Sequence, residues 1–249
     1  MNRLVALAMA TAVTASSAAM ADGGTPDFGK QVEFLARLQA LPLFGVFAPI
    51  GASSTVSLTA DQANANPAGL ITVARGLRAN VVSAAATLGP NIDQMALLPS
   101  STNPTHIIAC NEQGTTAGAV QRIEIKTGRV ESVIVGGMAS CDPVRLTPWG
   151  TVVVGEENGS NGRIFEVFDP LHTSNVTVPS SGFGPSSDPT HVAGRPALGQ
   201  FSFEGFGLLP NGIVYYTDEN RPGNGGIGNP GGAFVKFIPS ALWTGGSIP

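Results

Sequence analysis

Acidic side chains recur at two fixed places in three similar stretches of the chain. The stretches begin at Asn91, Cys141 and Phe203, and each has one acidic residue near its start and one or two near its end. The early acids are Asp93, Asp142 and Glu204, and the late acids are Glu112, Glu156, Glu157, Asp218 and Glu219. Carboxylates are the hard oxygen ligands that calcium and similar cations bind. The pattern predicts a metal site, with solvated turn residues as the alternative.

The turns within the stretches predict how the acids meet. Each stretch reads as a strand, a proline, a tight turn and a second β-rich strand, and Asn-Gly is the dipeptide that a two-residue hairpin loop favours. The predicted loops are Ser101–Pro104, Trp149-Gly150 and Asn211-Gly212. Counting outward from them places Asp93 opposite Glu112, Asp142 opposite Glu157, and Glu204 opposite Glu219. Opposed carboxylates repel unless one is protonated or a cation lies between them.

The repetition also predicts the architecture. The stretches recur at an interval close to the ~40 to 50 residues of propeller blades, and each is followed by a Gly-rich connection and another strand. We therefore expect an all-β fold in residues 69–249, with about three β-propeller-like blades that form an incomplete ring. A β-sandwich is the alternative, but it does not explain why acidic residues recur at the same end of each unit.

In a propeller the innermost strands line the central axis, so the three early acids are expected to converge at one rim. The Gly- and Asn-rich connections at residues 158–162 and 221–232 leave the second strands at that rim, where their carbonyl groups are candidate ligands. Arg195 and Arg221 are candidate partners of an anionic substrate. The three histidines lack metal-ligand spacing and receive no role.

Composition narrows the class of partner. Only 12% of the 249 residues are charged, whereas 32 are Gly and 19 are Pro, which favours many short strands and tight turns over long solvated helices. The formal net charge is −4, and the sequence has no cluster of Lys and Arg that would neutralise several phosphates. Nucleic acid is therefore not expected as a partner.

The N-terminus reads as a signal peptide at residues 1–21. Arg3 precedes an apolar segment from Leu4 to Val13, which is shorter than a membrane-spanning helix, and Ala19-Met20-Ala21 fits the cleavage pattern. We expect a periplasmic or secreted protein without a membrane span. Residues 22–68 are expected to form a short helix and an irregular segment. The helix is predicted to be capped by Thr25 and ended by Pro42.

The two cysteines, Cys110 and Cys141, follow a second strand and precede a first strand, so both are expected at the acidic end of the blades. Export makes a disulfide possible. The alternative is that Cys141 remains a thiolate ligand of a metal.

Three segments resemble the bacterial PhoX-type alkaline phosphatases. They read TPWGT followed by GEEN, RIFEVFDP, and LGQFSFEGFGLLPNGIVYYTDENRPG, and the resemblance spans residues 140–239. It implies an exported β-propeller whose channel holds iron and calcium and hydrolyses phosphomonoesters. It further implies that Glu204 ligates iron, that Glu156 and Glu157 are the family's acidic pair, and that Asp142 stands where the family has a cysteine ligand.

Three functions are thus expected from the sequence. The first is a metal-dependent phosphomonoester hydrolase, or a fragment of one, acting on a small phosphorylated substrate. The second is a calcium-dependent propeller lactonase acting on a lactone. The third is a non-catalytic binding or structural module, suggested by Asp142 in place of a cysteine and by the stop at Pro249 after about three blades. An incomplete ring also suggests that chains associate to close it.

Overall fold

The computed structural model describes residues 27–46, 51–83, 88–112, 118–224 and 226–241. The chain divides into two compact units, Met1–Val81 and Val82–Pro249. The predicted signal peptide, its cleavage site and Thr25 lie outside the described residues. The prediction that Thr25 caps the first helix is wrong, because the N-cap is Asp27, whose side chain accepts a hydrogen bond from the Lys30 N–H (3.1 Å).

The described part of the first unit is helical. Helix α1 spans Phe28–Phe44, α2 spans Ala60–Ala65, and a 3₁₀ turn follows at Pro67–Leu70. The expectation that Pro42 ends α1 is wrong. Pro42 lies inside the last turn, and the helix continues to Phe44. Its C-cap is Gly45, whose φ of 66° is a left-handed conformation that glycine adopts without a Cβ penalty. Within the described ranges, no helix has both the length and the apolar character needed to cross a bilayer.

The second unit is built of β-strands, which confirms the expected mostly-β class. The strands are β1 (Ile92–Leu98), β2 (His106–Asn111), β3 (Val120–Glu124), β4 (Val130–Gly136), β5 (Cys141–Leu146), β6 (Val152–Glu156), β7 (Ile164–Val167), β8 (Val176–Thr177), β9 (Val192–Gly194), β10 (Phe203–Leu208), β11 (Val214–Asp218) and β12 (Phe234–Phe237). Where described, they form three sheets with strand orders β1-β2-β3-β4-β8, β5-β6-β7-β9 and β10-β11-β12. Neighbouring strands are antiparallel except for β4 and β8.

Two apolar cores hold the sheets together. The first lies between the first and second sheets and includes Val120, Val144 and Val154. The second lies between the second and third sheets and includes Val153 and Phe206. The second sheet is thus covered on both faces, which explains why β6 and β7 are buried along their whole length. Full burial of each Val, Ile or Phe side chain in these strands stabilises the fold by roughly 1.5–3 kcal/mol.

The first strands of the three sheets are neighbours in space. Strand β5 packs between β1 and β10, so the sheets are stacked in chain order. A disulfide joins Cys110, in β2, to Cys141, at the start of β5. Both sulfurs are therefore committed to this bond rather than to a metal. In the chain-entropy model a bridge of this loop length stabilises the folded state by about 3 to 4 kcal/mol.

Candidate cation site on an acidic rim

The hairpin loops differ from those expected. In the second hairpin the Thr147 N–H donates to the Thr151 carbonyl (2.8 Å), which leaves a three-residue loop ending in Gly150. In the third the Leu209 N–H donates to the Ile213 carbonyl (3.0 Å). The last loop residue has φ of 89° at Gly150 and 83° at Gly212. These are type I turns closed by a left-handed glycine. In the first hairpin Leu98 pairs with His106, so the loop is longer than the four residues expected.

Each first strand also contains a β-bulge. The register shifts between Ile92 and Met95 in β1, between Cys141 and Val144 in β5, and between Phe203 and Phe206 in β10. In each case the first strand has one residue more than its partner over the same interval. The early acids Asp93, Asp142 and Glu204 all occupy the first position inside the bulge. A bulge bends the strand and re-aims a side chain, so the same local geometry presents all three acids.

The predicted direct opposition of acids is therefore wrong in all three hairpins. The residues actually paired at this level are Ile92 with Asn111, Cys141 with Glu156, and Phe203 with Asp218. The longer loop shifts the register by one residue and the bulge shifts it by another. Pro143 and Gly205 signal the bulge in the sequence, because proline and glycine inside a strand commonly mark one.

The bulges nevertheless bring the acids together around Asp142. Asp142 is only 2% exposed, and its Oδ1 atom has no hydrogen-bond partner. Its carboxyl hydrogen-bonds with that of Asp93 and lies close to Glu204 and Glu157. Burial, followed by these acidic neighbours, raises the pKa of Asp142 to about 8. Asp142 therefore holds a proton at neutral pH unless a cation replaces it.

The pKa values of two neighbouring acids, Glu112 and Glu204, are also raised. Burial raises the pKa of Glu112, and the hydrogen bond that its protonated form donates to Asp93, together with the charges of Asp93 and Glu157, adds to the shift. Burial also raises the pKa of Glu204, reinforced by the charges of Asp93 and Glu157. The hydrogen bond with Asp142 and the charge of Arg221 partly oppose the shift at Glu204.

We name this cluster the acidic rim, and it consists of Asp93, Glu112, Asp142, Glu157 and Glu204. Its members come from the first and second hairpins and from the start of the third. Glu157 is held at the junction of the second and third sheets, because its N–H donates to the Ser140 carbonyl (2.8 Å) and it forms an isolated bridge with Ser202. Asn91 supports Glu112 by donating its side-chain amide to the carboxylate (2.8 Å).

Glu156, a predicted ligand, is directed elsewhere. Its side chain is fully buried, and the Arg163 guanidinium donates to both of its oxygens, at 2.7 and 2.6 Å. The Ala139 N–H donates to the same carboxylate (2.8 Å). With its oxygens engaged in this ion pair, Glu156 serves to position β6 rather than to offer a free ligand. Arg163 was missed in the sequence because a lone arginine after a Gly-rich loop carries no distinctive pattern.

Asp218 and Glu219 lie beside the acidic rim rather than within it. Both line a polar cavity of about 440 Å³ together with Glu157, Ser202 and Arg221. Asp218 accepts a hydrogen bond from the Ser202 N–H (3.1 Å), and Glu219 forms an ion pair with Arg221. The other predicted anion partner, Arg195, pairs instead with Glu166 (2.7 Å), whose side chain is fully buried.

The acidic rim has the oxygen atoms that a cation binds, but its present geometry is not a complete cation site. Over the described ranges of the chain, no three His, Cys, Asp or Glu side chains converge tightly enough to hold a metal ion. The carboxyls meet in proton-sharing contacts centred on Asp142. The buried Oδ1 atom without a partner shows that the site leaves one oxygen unsatisfied, which is costly in a protein interior. Asp93, Asp142 and Glu204 therefore have oxygen atoms of the type that a cation binds, but they do not surround one ion as they stand.

Comparison with known proteins adds no relative. The chain matches no protein-family model, no curated protein and no solved structure. The functional assignment therefore rests on the geometry of the acidic rim and on the motifs in the sequence.

Proposed function

We propose that the acidic rim binds a divalent cation, calcium or iron, and that the protein is an exported, metal-dependent phosphomonoester hydrolase of the PhoX type or part of one. The observation that carries this proposal is the Asp142 carboxyl, which is buried between Asp93 and Glu204 with one oxygen unsatisfied. Burying the Asp142 carboxyl against two acids that repel it is costly unless protons or a cation compensate. A bound cation supplies that compensation at neutral pH.

The stacking of the sheets supports a propeller-like arrangement. Strands β1, β5 and β10 are the first strands of their sheets, lie side by side, and begin with the acids of the rim. In a propeller these strands line the axis, and the acidic rim is then the mouth of the channel. The resemblance of residues 140–239 to the PhoX family adds the expectation of iron together with calcium.

The polar cavity beside the acidic rim is the proposed substrate site. Its Arg221 side chain is suited to a phosphate group, since a guanidinium donates two parallel hydrogen bonds to a tetrahedral anion. A substrate phosphate would compete with Glu219, which now holds Arg221 in an ion pair. When bound, the cation would act as a Lewis acid toward a phosphoryl oxygen and lower the pKa of a water.

The test is hydrolysis of p-nitrophenyl phosphate by purified protein with calcium, iron or manganese, and with a chelator. We expect turnover only with a cation, and we expect Asp142→Asn to lower it by about a hundredfold or more. Asp169→Asn is the matched control, because Asp169 is exposed and bonds only to His172 among the contacts described for its carboxylate. Absence of turnover with every cation, or turnover that a chelator leaves unchanged, contradicts the proposal. Lactone hydrolysis without phosphatase activity would instead identify a lactonase.

A non-catalytic cation-binding module is the second candidate. It is favoured by Asp142, which stands where the resemblance to the PhoX family implies a cysteine ligand. This candidate predicts that calcium stabilises the protein while neither phosphomonoesters nor lactones are hydrolysed. The two measurements together separate the candidates.

A further inference from the structure

The second sheet shows how a sheet of this protein looks when both faces are covered. It packs against the first sheet on one side and the third on the other. Among the described strands of the second unit, the first and third sheets each pack against another sheet on one side only. Their second faces expose large apolar side chains, among them Met95 (57% exposed) and Leu97 in β1, and Phe234 (72% exposed) in β12.

The bulges align the hairpins residue by residue and identify the open face of the first sheet. Met95, Val144 and Phe206 are the first paired residues after the bulge in β1, β5 and β10. Val144 is fully buried in the core shared with the first sheet, and Phe206, 6% exposed, packs in the core shared with the second. Each thus faces the preceding sheet. Met95 occupies the same position with no described sheet in front of it.

The same alignment identifies the open face of the third sheet. The Phe206 ring packs 3.0 Å from the Cβ position of Gly155 in the second sheet. Gly155 corresponds to Thr217 in the third sheet, and Thr217 pairs directly with Phe234. Phe234 stacks on Tyr215, with ring centroids 5.8 Å apart. The face that would receive a following sheet therefore includes Thr217 and this aromatic pair, together with Lys236, which pairs with Tyr215 and lies 5.6 Å from its ring centroid.

We propose that a second copy of this chain covers both open faces, with the open face of each first sheet packing against the open face of the other copy's third sheet. The contact continues the packing already seen between consecutive sheets, with Met95 taking the place of Phe206 and Thr217 that of Gly155. Two such contacts related by a two-fold axis close a ring of six sheets, and closure leaves neither face open. The acids at the starts of β1, β5 and β10 from both copies then surround one axis.

Ring closure depends on the stacking of the sheets and not on a bound ion. It is tested on the purified full-length mature chain in chelator, by sedimentation velocity and light scattering over a range of concentrations. We expect twice the mass of the chain. Met95→Asp and Phe234→Lys should each raise the dimer dissociation constant by about tenfold or more, as loss of a buried interface anchor does. Both side chains are exposed in the single chain, so circular dichroism should show that each variant is folded.

The double variant Met95→Asp/Phe234→Lys makes the test specific for the proposed pairing. If the two faces meet each other, each contact brings the introduced carboxylate of one copy near the introduced ammonium group of the other. The double variant should then dimerise more tightly than either single variant. Ile227→Asp, at a fully exposed position outside both faces, is the control and should leave the mass unchanged. A monomer at every concentration overturns the proposal, and so does a dimer that neither single variant weakens or that the double variant does not restore.

Discussion

Asp142 is the residue on which the acidic rim depends. It is nearly inaccessible to solvent, and it lies among other carboxyl groups. These groups repel the ionised form of Asp142 unless a proton or a cation compensates. A protonated aspartic acid resembles asparagine in shape and can donate one hydrogen bond. The Asp142 site is thus stable in acid, when protonated, and becomes suited to a cation as the pH rises.

The pKa of Asp142 predicts an unusual pH dependence of stability. The folded-state pKa, about 8, lies above the unfolded value of ~4, so the folded state binds more protons between these values. The stabilisation is complete below the unfolded pKa and is lost as pH rises through the folded pKa. In chelator, the free energy of unfolding should therefore fall by up to about 1.4 kcal/mol per pH unit from this group.

Urea denaturation of wild type and Asp142→Asn at several pH values between about 5 and 8 measures this effect. The amide of asparagine replaces the protonated acid without titrating, so the variant should lose most of the downward slope and match or exceed the wild type near pH 8. Identical pH profiles for the two proteins would show that Asp142 is ionised in the folded state and that the proton-sharing account is wrong.

Glu156 is the acid for which sequence and structure suggest different roles. It forms a buried ion pair with Arg163, which also donates to the carbonyl groups of Gly137, Pro179 and Gly182. Removing one partner leaves a buried charge uncompensated, so Glu156→Gln should cost about 3–5 kcal/mol. Urea denaturation in chelator measures the loss.

Glu124→Gln is the matched control for Glu156→Gln. The ion pair of Glu124 with Arg129 is solvent-exposed on the arginine side, so its loss should cost within about 1 kcal/mol. A cost for Glu156→Gln no larger than that of the control contradicts the structural role. Loss of the calcium response in Glu156→Gln at unchanged stability would make Glu156 a ligand.

At the scale of the hairpin, a shared pattern of loop and bulge positions the acidic side chains. A left-handed glycine closes the loop in the second and third hairpins, and the first strand of all three hairpins contains a bulge that precedes the loop. The sequence predicted the strands, the turns and the recurrence of acids at one end. It did not predict the register, because a three-residue and a two-residue loop share the same Gly signal and only the bulge at Pro143 or Gly205 reveals the extra residue.

Gly150 and Gly205 provide a matched test of this hairpin geometry. A Cβ at either position would meet no atom within 4 Å, but only Gly150 has a positive φ, of 89°. Gly150→Ala should destabilise the protein by about 1 kcal/mol or more because the left-handed conformation is strained. Gly205→Ala should be neutral or stabilise it by up to about 1 kcal/mol through a less flexible unfolded chain. Thermal denaturation of both variants measures the difference, and equal effects would contradict the assigned loop.

At the scale of the whole second unit, the sheets matter because they stack in chain order. The β5 strand between β1 and β10 brings the acids of separate hairpins into one cluster, and the disulfide between Cys110 and Cys141 ties the first two hairpins at the same end. The internal repeat of the sequence pointed to this clustering. Which acids belong to the acidic rim was harder to predict. Glu156 does not belong to it because it forms a buried ion pair with Arg163, and Glu219 lies in the cavity because it pairs with Arg221.

The central claim is that the acidic rim binds a cation, and the most direct measurement is the thermal unfolding midpoint in chelator and in increasing calcium, manganese or iron. A cation that binds only the folded state should stabilise the wild type by about 1.4 kcal/mol for each tenfold increase above its dissociation constant. Asp142→Asn should be nearly insensitive, whereas Asp169→Asn should respond as the wild type does. A wild-type midpoint that is the same in chelator and in millimolar concentrations of every cation would contradict the claim.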